Sequence, residues 1–286
     1  MPVIRLATRK SRLALFQSNL VRDQALAADP GSQVTLLEVS TTGDRQSEWS
    51  LEQQGGTGLF TKELEHLLLS RDADIAVHSS KDLPARIVDG LAIAGYLPRE
   101  QPHDVLVVRN EVDVPATIAT GSPRRREQLA SRFPDAQWTQ MRGNVETRLN
   151  KIRDGHAEAT VLAAAGLNRL GITQWEGLRF EPLAIDAVVP SPGQGAIAVQ
   201  CREGEQDRLP SSIFCAQTHR AVAAEKRLMS LLGGGCHSCI GAHLDGNRLL
   251  VFHEDCRFYE FPIEHADEVE LARIAQQLLG PHQPSS

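Results

Sequence analysis

No stretch of the 286 residues approaches the apolar run of about 18 residues that a membrane helix needs, so no membrane span is predicted. Cysteine is scarce and odd in number. Cys201, Cys215, Cys236, Cys239 and Cys256 are too few for a disulfide scaffold in a chain this long, and a reducing cytoplasm suits them best. Positive charge is not in surplus either. A net charge of −6 and a pI near 5.9 argue against a broad nucleic-acid surface, which needs a positive field over many phosphates. The opening Met1-Pro-Val-Ile-Arg-Leu-Ala-Thr8 lacks the basic segment, apolar core and small-residue cleavage site of a secretory signal, and reads as a first strand. There is no short-period repeat and nothing of low complexity. The balance, 41% hydrophobic and 23% charged, is that of an ordinary soluble chain long enough for two or three domains.

The pattern that remains is strand, turn, helix. Val3 to Thr8 is a predicted strand, and Ser11 a predicted cap for a helix carrying Leu13, Phe16, Leu20 and Val21 at helical spacing. Val34 to Val39 is a second strand. Residues 41–57 are polar and glycine-containing, which suggests a long functional or mobile loop. Gly58 to Leu69 is a predicted helix, Asp74 to His78 a buried strand, and Leu91 to Leu97 another. Pro98 to Pro102 reads as a crossover into a second domain, which repeats the same logic from Val105 to Gly171. Alternation of this kind implies a largely parallel sheet with helices on both faces. Pro190 to Gly195 is hinge-like and Ala196 to Gln200 returns to strand, giving two connections between the domains. A helix from about Pro210 to Leu232 follows, then a hairpin around Asp245-Gly-Asn247, strands at Leu249 to Phe252 and Phe258 to Ile263, and a last helix from Asp267 to Leu279.

Arginines fall where ligands bind in such folds. Arg9, Arg124, Arg125, Arg142 and Arg148 lie at strand-to-helix turns or just after them, where guanidinium forks and free helix-start amides suit a ligand with several carboxylates. The plain alternative for any single one is solvated helix surface, and Arg126, on another helical face from its two predecessors, is assigned to it. Lys81 and Asp82 lie just past the end of a predicted strand, where α/β sheets bind ligands. A carboxylate there can stabilise a developing cation or move protons, and a neighbouring lysine keeps it ionised. Their alternative is a surface ion pair capping a turn. His78, ending an apolar strand, reads as a hydrogen-bonded core histidine.

The stretch Leu231-Leu-Gly-Gly-Gly-Cys-His-Ser-Cys-Ile-Gly241 admits three chemistries: a dithiol redox pair, half of a metal site, or one thiol presented for attachment. Cys236 and Cys239, taken with His253 and Cys256, come near the spacing of a structural zinc site, with His243 as a spare ligand. A thioredoxin-type pair fits less well, since that motif normally begins a helix after a strand.

Taken in order, Ala7-Thr-Arg-Lys-Ser-Arg-Leu-Ala-Leu15, Thr42-Gly-Asp44, Gly58-Leu-Phe-Thr-Lys-Glu-Leu64, Asp74-Ile-Ala-Val-His-Ser-Ser-Lys-Asp-Leu-Pro84, Arg142-Gly-Asn-Val-Glu-Thr-Arg148, Ala165-Gly-Leu-Asn-Arg-Leu-Gly171, Pro192-Gly-Gln-Gly-Ala196 and Gly234-Gly-Cys236 resemble the porphobilinogen deaminase (hydroxymethylbilane synthase) family over nearly the whole chain. The resemblance implies an α/β fold of two periplasmic-binding-protein-like domains with a double-crossover hinge and a small α+β C-terminal domain. The expected limits are 1–98 with 194–209, 99–193, and 210–286. It also implies a dipyrromethane cofactor, made from the substrate and held by Cys236 through a thioether, and Asp82 as the catalytic carboxylate contacting the pyrrole nitrogens. Arg9, Ser11, Ser79, Lys81, Thr120, Ser122, Arg124, Arg125, Arg142, Arg148 and Arg169 would hold acetate and propionate groups. No metal is expected. The partners are porphobilinogen and the growing polypyrrole, with no nucleic acid and no membrane, in a cytoplasmic monomer. Five positions depart from the family pattern: Gln53 and Thr57 where lysines are usual, Gly121 where serine is, Pro123 where leucine is, and Cys239 where an apolar residue or proline is. The reading from another class is a non-catalytic two-lobed binder of a small polycarboxylate with zinc in its third domain.

Overall fold

The computed structural model describes residues 3–41, 61–234, 238–253 and 257–280. Three sheets organise it. The first is built from β1 (Val3–Arg9), β2 (Gln33–Val39), β3 (Ile75–Ser79) and β4 (Leu91–Tyr96), with α1 (Arg12–Ala28) and α2 (Lys62–Leu69) in the connections. The second takes β5 (Asp104–Arg109), β6 (Thr117–Ala119), β7 (Gln137–Thr139), β8 (Ala159–Ala163) and β9 (Leu178–Pro182), with α3 (Pro123–Ala130), α4 (Val145–Arg153) and α5 (Ala164–Arg169). The chain then returns through β10 (Ile197–Arg202), which inserts between β3 and β4 of the first sheet. A third, antiparallel sheet of β11 (Gly241–Asp245), β12 (Arg248–Phe252) and β13 (Phe258–Pro262) packs with α6 (Ala216–Leu231) and α7 (Glu268–Leu279).

The expectation of largely parallel sheets needs correction. In the first sheet β2, β1 and β3 run parallel, but β10 is antiparallel to both of its neighbours. In the second, β7, β6 and β8 run parallel while β5 is antiparallel to β8 and β9. The two exceptions are the strands beside the two crossings between the lobes. Each enters its sheet from the other lobe and not through a βαβ crossover, so the right-handed crossover that enforces parallel pairing is missing there. Strands β7 and β9, absent from the sequence reading, are sheet edges. The third-sheet hairpin and α7, capped by Asp267, form where the spacing predicts them, while the long helix begins at Ala216 after a separate 3-10 turn at Ser211–Ile213.

Both faces of the two large sheets are buried. Leu6, Val21, Ile75, Ile197 and Val199 pack on one face of the first sheet, and Ala7, Leu64, Leu68 and Ala76 on the other. Leu149 and Ile152 of α4 cover one face of the second sheet, and Leu129 of α3 covers the other. Three helices pointing at the cleft have a side-chain cap: Ser11 accepts from the Ala14 amide at 3.3 Å, Ser122 from Arg125 at 3.4 Å and Asn144 from Thr147 at 2.8 Å. Pro123 occupies the first position of α3, where its missing N–H costs nothing, so this departure from the family pattern is locally harmless.

His78 is the buried core histidine expected. Its Nε2 lies 3.0 Å from Gln200 Oε1, and burial lowers its pKa to about 4. The unfolded chain protonates this ring near pH 6.5, well before the folded protein does, so its contribution to stability is lost as pH falls from 6.5 towards 4. The slope expected from this one group is up to about 1.4 kcal/mol per pH unit. Urea unfolding of His78→Leu at pH 7 and pH 5 should show a smaller acid loss than wild type. An equal loss in both proteins would remove His78 as the cause.

Candidate active site

One cavity of about 720 Å³ lies between the two large sheets. Strand β3 ends at Ser79, and a 3-10 turn over Ser80–Asp82 carries Lys81 and Asp82 into the cavity. Arg9 and Ser11 enter from the β1–α1 turn, Thr120, Ser122, Arg124 and Arg125 from the β6–α3 turn, Arg142 and Arg148 from the start of α4, and Arg169 from α5. All twelve described residues that the motifs single out therefore face the same space. Cys236 lies outside the described residues, as do Gln53, Thr57 and Cys256. Ser238 and Ile240, shortly after Cys236 in the chain, line the cavity together with Met229 of α6.

The cations are not equivalent. Arg124 donates through Nη1 to the Val189 carbonyl at 2.6 Å and through Nη2 to Asp104 at 2.7 Å. Arg125 donates through Nη1 to the Val161 carbonyl at 2.8 Å and through Nη2 to the other Asp104 oxygen at 2.7 Å. Asp104 is fully buried at the head of β5. Burial pushes its carboxyl up, but Arg125 and Arg124 overcome that and hold it far below the usual carboxylate range. Gln194 completes the knot, donating to Asp104 at 2.8 Å and accepting from Lys81 Nζ at 3.2 Å, so it joins a cation of the first lobe to the carboxylate of the second.

Other cations of the cavity are less fully paired. Arg125 Nε and Arg142 Nη2 are buried and have no partner among the described residues. Burial, reinforced by Arg125, lowers Lys81 to about 8 despite Asp82 and Asp104. Burial lowers Arg148 and Arg169 to about 10 each. Cations held this close without enough counter-charge are destabilised, and carboxylates entering the cavity would relieve them. Arg126, by contrast, is exposed beside Glu127, as its helical face predicts. Two residues that the sequence reading missed matter here. Asp104 is a lone acid opening an apolar strand, a signal that was available, whereas the role of Gln194 follows only from the lobes meeting. Glu146 at the start of α4 also lines the cavity and accepts from Arg12 of α1 across its mouth at 2.6 Å.

The zinc reading gains no support from the described residues, among which no three His, Cys, Asp or Glu side chains are grouped to hold a metal. Two of its four candidate ligands, Cys236 and Cys256, are outside them. Among the described residues no helix is long and apolar enough to cross a membrane.

Residues 4–209 match the family model described as porphobilinogen deaminase, dipyromethane cofactor binding domain. A porphobilinogen deaminase of Syntrophobacter fumaroxidans is 43% identical over 248 residues, covering 84% of this chain and 79% of that protein. One of Phenylobacterium zucineum is 38% identical over 293 residues, covering 96% and 90%. Among solved structures, the periplasmic VFT2 domain of Bordetella pertussis BvgS overlaps 71% of this chain and 82% of its own at a TM-score of 0.40 and 19% identity. The BenM effector-binding domain with benzoate overlaps 81% and 93% at 0.43 and 13%. Identity of this order along most of the chain, joined to a cleft that gathers the motif residues of both lobes, makes the chain a member of the porphobilinogen deaminase family.

Proposed function

We propose that this cleft condenses four porphobilinogen units head to tail, with loss of ammonia, onto a dipyrromethane held covalently by Cys236, and releases hydroxymethylbilane by hydrolysis. The observation that carries the reading is the single cavity into which separated motifs deliver Asp82 and a surplus of buried cations, two of them with unused donors. That donor set fits a group bearing several carboxylates. Arg9, Ser11, Arg142, Arg148 and Arg169 would hold acetate and propionate groups together with Ser79, Lys81, Thr120, Ser122 and the free Nε of Arg125. Arg124 spends both terminal nitrogens inside the protein, so its contribution to a bound carboxylate is its charge. When bound, the cofactor supplies the pyrrole carbon to which new units are added.

Asp82 is the catalytic residue of this reading. Its carboxylate stands where positive charge develops on an incoming unit as ammonia leaves, and an anion fixed beforehand stabilises that charge without reorganisation. Lys81, lowered to about 8, remains largely protonated at neutral pH and neutralises carboxylates beside it. The family match favours this transferase reading over the non-catalytic binder. We assign the domains to 1–98 with 194–209, 99–193 and 210–286, which the insertion of β10 into the first sheet supports. We further propose a cytoplasmic monomer that binds no nucleic acid, with turnover altered by Gln53 and Thr57.

Intact mass spectrometry of the purified protein tests the assignment. A mass excess equal to a dipyrromethane is expected on the wild-type chain and none on Cys236→Ala. Unmodified protein that stays inactive under reducing conditions with porphobilinogen supplied would sink it.

A further inference from the structure

Two consecutive residues of α6 reach the catalytic turn from behind. Glu225 is fully buried and Lys226 nearly so, and neither lines the cavity. Lys226 Nζ donates to the backbone carbonyl of Leu83 at 2.7 Å, one residue beyond Asp82. Glu225 Oε2 accepts from the Gly193 amide at 2.7 Å, one residue before Gln194, the side chain that holds Lys81. The same carboxylate takes both terminal nitrogens of Arg99 at 2.6 and 3.0 Å, and Arg99 Nε donates to the Gln194 carbonyl at 2.8 Å. Burial raises the pKa of Glu225, but Arg99 and His243 outweigh it and bring it to about 2, so the charge persists at every working pH.

The two turns that these residues hold also touch each other. Gly193 has φ +74°, and a Cβ there would come 2.5 Å from Ser80 Oγ and 3.1 Å from Ser80 Cβ. The turn around Gly193 thus rests on the Ser80–Asp82 turn, with only the small Ser80 side chain at the contact. A buried ammonium on one and a buried carboxylate on the other, from adjacent positions of one helix, fix both at once. Helix α6 ends at Leu231, shortly before Cys236 in the sequence.

We propose that Glu225 and Lys226 are positioning residues, setting Asp82 through the Leu83 carbonyl and Lys81 through Gly193 and Gln194. The proposal rests on the deaminase reading for its kinetic consequence but not for its structural one. A displacement of about 1 Å at a reacting group costs about 10²-fold in rate. Lys226→Met, which keeps the length and loses the donor, is expected to lower kcat about 10²-fold with little change in KM, and Lys226→Arg to recover most of that loss. Independently of turnover, amide exchange followed by mass spectrometry should show faster exchange in the segment 79–84 of Lys226→Met and in 192–196 of Glu225→Gln, with β1 and β3 still protected. Should Lys226→Met fail to accumulate folded, Lys226→Gln replaces it with the same expectations. Unchanged exchange at 79–84 would overturn the proposal, as would a rate loss that Lys226→Arg shares in full and that follows the melting temperature. An inactive wild type would remove the deaminase reading, and the exchange result would still decide the positioning role.

Discussion

Asp82→Asn is expected to lower turnover by about 10²- to 10³-fold, the usual cost of removing one preorganised electrostatic contact from a transition state. Its melting temperature should stay close to that of wild type. Asparagine has the same size and still offers an acceptor, so the turn over Ser80–Asp82 keeps its backbone bond from the Leu83 amide to the Ser80 carbonyl at 3.1 Å. What is lost is charge, at the position where, in the proposed reaction, the incoming unit becomes cationic. A second effect follows through Lys81. Asp82 is the first of the two carboxylates that keep Lys81 protonated against burial and Arg125, so its neutralisation moves the lysine further below about 8. The alkaline limb of the rate profile should then begin at lower pH in the variant. Asp82→Glu, which keeps the charge and displaces it, should fall between the two. Rates at saturating porphobilinogen across pH, with melting curves alongside, check all three. Wild-type turnover in Asp82→Asn would remove the residue from the chemistry.

Much of this was legible in the sequence, and the parts that were not share a physical cause. Ser11 is read correctly as a helix start because an N-cap is a local signal, set within three residues. The end of β3 is legible for the same reason, since a short apolar run stops at polar residues. Strand direction is not local. β5 is buried on both faces, so it shows the continuous apolar run usual of parallel strands although it runs antiparallel to both of its neighbours. β7, three residues with two exposed, offers too little pattern to register. The arginines divide the same way. Their gathering at turns is visible in sequence, but the commitment of Arg124 and Arg125 to Asp104 depends on a contact made only when α3 folds over the head of β5. Cys236 remains a reading of sequence and family, since it lies outside the described residues.

That shared carboxylate makes Asp104→Asn the substitution with the largest expected effect on stability. Asp104 has no exposed surface and accepts from Arg124, Arg125 and Gln194 at 2.7, 2.7 and 2.8 Å. Neutralising it leaves two buried guanidinium groups facing each other with their common counter-ion gone, and turns an amide N–H₂ towards donors. Breaking a buried pair from one side costs about 3–5 kcal/mol. At roughly 2–4 °C per kcal/mol for a chain of this order of size, the melting temperature should fall by about 10 °C. Arg86→Ala supplies the contrast: its partner Asp89 is 90% exposed and the arginine 86%, so its loss should change stability by less than about 1 kcal/mol. The same reasoning predicts rescue. Small dicarboxylates at high concentration should raise the melting temperature of Asp104→Asn more than that of wild type, because the variant has two additional unpaired cations for them to meet. Asp104 also helps to keep Lys81 protonated, so the variant should lose affinity for porphobilinogen more steeply above pH 7. A melting shift no larger than that of Arg86→Ala would mean that Arg124 and Arg125 find another counter-charge, and that Asp104 does not hold the second lobe's side of the cleft together.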